Sequence, residues 1–226
     1  MKLGAFVLNK LNKVKMFLFF VFLSFWITAS NAESAGNDGL ALIIEEASPA
    51  KSVVIDFQNA LIGAMKKGDT LGFAERSLYL KQAILNSHDI LKSLRTIVGS
   101  KQWRTFSDEQ KTLLNQVFTN FIVSTYAFNF NVYSNESFVY VSEHITKKGN
   151  VIVRSILNVP ESKRNKVTFD YALKKNSDGW RIYNIAADGV SDLATRRSEY
   201  RRILSGSDGF NTLIAIINKK IDNYAK

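Results

Sequence analysis

Val167-Thr168-Phe169-Asp170-Tyr171-Ala172-Leu173-Lys174 alternates between two kinds of side chain. Successive residues of a strand point to opposite faces of a sheet. Val167, Phe169, Tyr171 and Leu173 therefore share an apolar face, and Thr168, Asp170, Ala172 and Lys174 a mostly polar one. Three more segments, Ser137 to Thr146, Val151 to Val159 and Trp180 to Ala187, are rich in Val, Ile, Phe, Tyr and Trp. The turn signals between them are Lys147-Lys148-Gly149-Asn150, Pro160-Glu161-Ser162-Lys163 and Asn176-Ser177-Asp178-Gly179. Short connections of this kind predict a four-stranded antiparallel meander with one face to bury.

The cover comes from helices on either side of the strands. Ser48 caps a first helix beginning at Pro49, with Val53 or Val54, Phe57, Ala60, Leu61, Ala64 and Met65 at helical spacing up to Gly68. Leu71, Ala74, Leu78, Ile84 and Leu85 mark a second helix to about Asn86. Asp89 starts a third, through Leu91, Leu94 and Val98 to Gly99. Ser107-Asp108-Glu109-Gln110 is a capping box, and the stripe of Leu113, Leu114, Val117, Phe118, Phe121, Ile122, Thr125 and Tyr126 carries that helix to Phe130. After the strands, Ser191 caps a helix with Leu193, Arg197, Tyr200 and Leu204 on one side. Asp208 opens a last helix striped by Phe210, Leu213, Ile214, Ile217, Ile221 and Tyr224. The expected fold class is α+β, helices packed over one face of a curved sheet.

Upstream, Lys2, Lys10, Lys13 and Lys15 precede an apolar run from Met16 to Phe22 that continues through Leu23, Phe25, Trp26 and Ile27, and Ser30-Asn31-Ala32 satisfies the small-x-small rule. Residues 1–32 are expected to be a cleaved signal peptide, the run being shorter than the roughly 20 residues that span a bilayer; a retained anchor is the alternative. Residues 33–47 read as a flexible segment and 48–226 as a single domain. Of 30 Lys and Arg, four lie in the signal peptide, so 26 face 20 Asp and Glu in the mature chain, a net +6. That charge suits solubility or attraction to an anionic membrane face; export excludes nucleic acid. With no cysteine, packing alone must hold the exported fold.

Catalytic patterns are missing from the chain: no HExxH, no GxSxG, no Gly-rich phosphate loop and no Cys nucleophile or zinc ligand. His144 follows Glu143 on a strand, so the two face opposite sides. His88, Asp170, Asp188 and Asp192 are assigned no catalytic role. The chain is expected to be no enzyme and to need no cofactor or metal.

Val167-Thr168-Phe169-Asp170-Tyr171, Gly179-Trp180-Arg181-Ile182-Tyr183-Asn184-Ile185 and Ala187-Asp188-Gly189-Val190-Ser191, continued by Arg196-Arg197-Ser198-Glu199-Tyr200 and Gly206-Ser207-Asp208-Gly209-Phe210, resemble the MlaC or toluene-tolerance family in order and spacing. Upstream, Leu71-Gly72-Phe73 and Val98-Gly99 before Trp103 and Phe106 look closer to the hopanoid-associated branch called HpnM. The resemblance implies a periplasmic monomer that encloses the acyl chains of a phospholipid. It further implies transfer between an inner-membrane ABC transporter complex and an outer-membrane lipoprotein complex, with transient membrane contact. A hopanoid or other polycyclic lipid is the alternative cargo, and a small pocketed enzyme acting on a hydrophobic substrate the runner-up class. The pocket is expected between the long helix and the sheet, lined by Phe118, Phe121, Ile122, Tyr126, Val153, Phe169, Tyr171 and Tyr183. Arg196, Arg197, Arg201 and Arg202 are expected to contact a partner or a membrane.

Overall fold

The computed structural model describes residues 48–68, 70–160, 162 and 165–226; the expected signal peptide and the flexible segment 33–47 lie outside the described residues. The first helix, α1, runs from Pro49 to Lys66 and buries Val54, Phe57, Leu61, Ala64 and Met65, one stripe at three- and four-residue spacing. It is followed by α2 (Phe73–Ser87) and α3 (Ile90–Val98). Asp89 caps α3 by accepting from the Lys92 amide at 2.9 Å. Gly99, at φ 86°, closes α3 and opens the short α4 (Ser100–Thr105), an element that weak periodicity had left unanticipated. It exists to bury Trp103 and deliver Phe106, which meets Phe210 edge-on at 5.1 Å. The long α5 (Asp108–Asn129) starts with the expected capping box, Ser107 Oγ accepting from the Gln110 amide and Gln110 Oε1 from the Ser107 amide.

The phase of α2 differs from the one its apolar residues suggested. Leu78 is 73% and Leu85 43% exposed, while Arg76, Leu80, Ile84 and Ser87 are buried. Apolarity points the wrong way here because the buried face includes a guanidinium and a hydroxyl, each satisfied by backbone carbonyls.

Strands β1 (Ser137–Ile145), β2 (Val151–Asn158), β3 (Lys166–Asn176), β4 (Gly179–Ala187) and β5 (Val190–Ser191) pair in sequence order as one antiparallel sheet. The fifth strand, beyond the four expected, is two residues long. It arises because Asp188 (φ 49°) and Gly189 (φ 81°) both hold the positive φ that a tight two-residue hairpin turn demands. Val167, Phe169, Tyr171 and Leu173 are all buried on one face, as the alternation requires. On the other face Arg154 forks onto Asp170 of the neighbouring strand at 2.6 and 2.8 Å. Tyr183 is the extra residue of a bulge in β4, opposite the Ala172–Leu173 step.

Two helices complete the chain, α6 (Asp192–Leu204) and α7 (Gly209–Tyr224). Ser191 Oγ caps α6 through the Ala194 amide, whereas the Asp208 side chain leaves the amides of α7 alone and accepts from Asn211. Across the sheet, α1 touches β1, β2 and β4; α2, α3 and α6 touch β4, and α5 packs on α2, α3 and α7. Pro49 to Lys226 forms one compact unit. None of the described helices is long and apolar enough to cross a membrane.

Candidate functional site

The interior between helices and sheet is floored by three strands in register. Val153 lies opposite Tyr171, Ser155 opposite Phe169 and Leu157 opposite Val167, with Ile185 and Ala187 continuing the row on β4. Val153 and Tyr171 are almost wholly buried. Phe169 leans on Tyr171 and on Phe138, with ring centres about 6 Å apart. This apolar floor has one polar point. Gln58 of α1 donates to Ser155 Oγ at 2.6 Å, and the Tyr171 hydroxyl bonds to the same pair. Burial raises the Tyr171 pKa above the ordinary tyrosine value despite those bonds, so the phenol stays protonated.

The helical wall comes from α1, α2 and α5. Tyr126 meets Phe57 edge-on at 5.1 Å and reaches toward Tyr171; its own pKa is driven up by burial and then by Tyr171. His88, just past α2, packs its ring edge-on against Phe57 at 4.7 Å. Phe118 and Phe121 sit farther round α5. Phe118 faces Tyr200 of α6, while Phe121 stacks on Tyr224 of α7 and lies under the Arg196 guanidinium at 4.7 Å. Ile122 is half-buried against the same core.

The structure thus brings together Tyr126, Val153, Phe169 and Tyr171, with Phe118 and Phe121 on the side of the interior that adjoins α6 and α7. Tyr183 lies apart from them. Its ring is under the Lys92 ammonium, its hydroxyl accepts a long 3.5 Å bond from Asn150, and its carbonyl accepts from Ser93. Phe57 belongs to the interior on the stripe expected of the first helix, and His88, Gln58 and Ser155 join it although sequence reasoning did not place them there. Ser155 had a signal: it is the polar residue at an inward position of the row Val151, Val153, Ser155, Leu157.

The four arginines also separate. Arg196 has only 15% of its side chain exposed and bonds Asp192 at 2.7 Å. Burial works to lower its pKa, but Asp192 and Tyr200 hold it above the ordinary value, a permanent cation inside the helical layer. Arg201 and Arg202 are exposed at the end of α6. Arg197 is half-buried and lines a cleft of about 590 Å³ on the outer side of α3. Among the described residues no cluster of His, Cys, Asp and Glu is arranged to hold a metal.

Residues 56–219 match the model of one protein family, that of the MlaC protein. No curated protein matches the sequence. Among solved structures, that of a phospholipid-binding protein from Ralstonia solanacearum in complex with a phospholipid shares the fold. It superposes with a TM-score of 0.66 at 21% identity, over 80% of this chain and 98% of that one.

Proposed function

The chain belongs to the MlaC family, and from that membership we propose that it is a periplasmic carrier that encloses the acyl chains of a phospholipid between its helices and its sheet. The observation that carries the reading is the extent of the family match, which takes in the strands and helices that form the interior. The phospholipid held by the Ralstonia protein supports a phospholipid as first cargo. Tyr126, Val153, Phe169 and Tyr171 would line the chain space, and Phe118, Phe121 and Ile122 its helical side. Tyr183, outside that interior, would act at the rim.

The physical need for such a carrier is large. Two acyl chains of roughly 16 carbons are worth on the order of 25 kcal/mol of burial at about 0.8 kcal/mol per methylene, so a lipid does not cross water unaided. A carrier needs a dry cavity and no catalytic group. In this reading the protein passes its cargo between an inner-membrane ABC transporter complex and an outer-membrane complex, with Arg201 and Arg202 available to an anionic acceptor. Native mass spectrometry of protein purified from cells is expected to show the polypeptide with the added mass of one phospholipid. A hopanoid mass would change the cargo, and a bare polypeptide under conditions that preserve lipid complexes would overturn the proposal.

A further inference from the structure

The cleft beyond α3 is concave, and its lining is unlike the apolar interior. Its walls come from three elements: α3, which packs on α6, supplies Lys92 and Arg95, α6 supplies Arg197, and the end of β3 supplies Lys174 and Lys175. The one carboxylate in the lining, Asp89, already accepts from the Lys92 amide as the cap of α3. Among the described residues, none of Arg95, Lys174, Lys175 and Arg197 is in a salt bridge. The Lys92 ammonium is held over the ring of Tyr183, 5.2 Å from its centre, so the β4 bulge helps to position one cation of the set.

Cations crowded around a concavity repel one another within a Debye length of about 8 Å, and a concave wall focuses their field on whatever enters. The volume of about 590 Å³ lies within the range of small-ligand pockets. Forked guanidiniums beside ammonium groups suit tetrahedral oxyanions with several acceptor oxygens. We propose that this cleft binds a phosphate-bearing anion, either a soluble phosphate ester or the headgroup of an anionic lipid in a membrane. The concavity favours a compact phosphorylated group over an extended acidic peptide. The proposal stands on the cleft alone and does not depend on what fills the interior.

The test uses pyrophosphate followed by amide NMR shifts, and sedimentation with phosphatidylcholine vesicles that either contain or lack phosphatidylglycerol. Arg95 and Lys175 are exposed, so the double reversal Arg95→Glu, Lys175→Glu leaves the fold intact, which the unaltered amide spectrum outside the cleft verifies. Pyrophosphate is expected to shift signals of α3 and the β3–β4 hairpin, with affinity falling as salt rises and at least tenfold weaker in the double variant. Lys219→Glu, exposed and outside the cleft, is expected to bind as wild type. Saturation by pyrophosphate without vesicle binding identifies a soluble ester. Vesicle binding that requires phosphatidylglycerol, is competed by pyrophosphate and is lost in the double variant identifies a lipid headgroup. The proposal is overturned if neither probe binds, if Lys219→Glu weakens binding as much as the double variant, or if only a poly-glutamate peptide binds, which would make the cleft a seat for an acidic protein segment.

Discussion

His88 brings an acceptor into the interior without a donor for it. Ser87 Oγ approaches both the Ala83 carbonyl at 2.6 Å and His88 Nδ1 at 2.8 Å. A hydroxyl has one proton, and the carbonyl can only accept. The proton therefore goes to Ala83, Nδ1 carries its own hydrogen toward Ser87, and Nε2 is left as a bare lone pair. That nitrogen is buried with no partner among the described residues. Burial lowers the His88 pKa to about 4, opposed by the Ile84 backbone, from an unfolded value near 6.5. The unfolded chain thus takes up the proton first. Stability from this group is full above about pH 6.5 and drains away as pH falls toward 4, for a total of roughly 3 kcal/mol. Urea unfolding at pH 7 and pH 4.5 is expected to show wild type losing about 2 kcal/mol more than His88→Leu between the two conditions. Equal losses would mean that the imidazole is not the group being protonated.

At the scale of elements, Arg76 ties three of them with one side chain. Its Nε donates to the Ala127 carbonyl at 2.6 Å and its Nη1 to Leu71 at 2.8 Å and Gly68 at 3.5 Å, which joins α2 to the last turn of α5 and to the turn leaving α1. Burial depresses the guanidinium pKa, and among the described residues neutral carbonyls rather than a carboxylate satisfy it. Arg76→Lys keeps the charge but loses the fork. It is expected to cost about 2 kcal/mol, read as a lower denaturant midpoint at an unchanged slope. The same residue shows what was legible in the sequence and what was not. The third strand could be read face by face because period-two alternation survives burial, and the caps at Ser107 and Ser191 could be read because a hydroxyl at that position has one dominant use. The face of α2 could not, since its inward residues include Arg76 and Ser87, whose partners lie 51 and four residues away. The candidate site was half legible for a related reason. Val153, Phe169 and Tyr171 follow from alternation, while the β4 bulge breaks the rule at the one residue, Tyr183, whose assignment depended on it.

For the molecule as a whole, the carrier reading makes two quantities separable that a filled core would couple. Val153 is 1% exposed, lies between Glu143 of β1 and Tyr171 of β3, and faces the interior. Overpacking a filled core costs typically about 1–3 kcal/mol, whereas narrowing a space kept for acyl chains evicts the chains. Val153→Trp is therefore expected to lose bound lipid with little change in the melting temperature of the lipid-free protein. Full lipid retention together with a large fall in melting temperature would assign Val153 to packed core. The Gln58–Ser155 bridge also bears on how the molecule is made. It joins positions 97 residues apart, and α1 rests on β1, β2 and β4, all of them later in the chain. A ribosome delivers α1 long before its floor exists, so the stripe of Val54, Phe57 and Leu61 waits without its strands through most of synthesis. Long-range closure of this kind slows folding and leaves apolar surface open to wrong partners. Until β4 arrives, the newborn chain therefore keeps that stripe short of its strand partners.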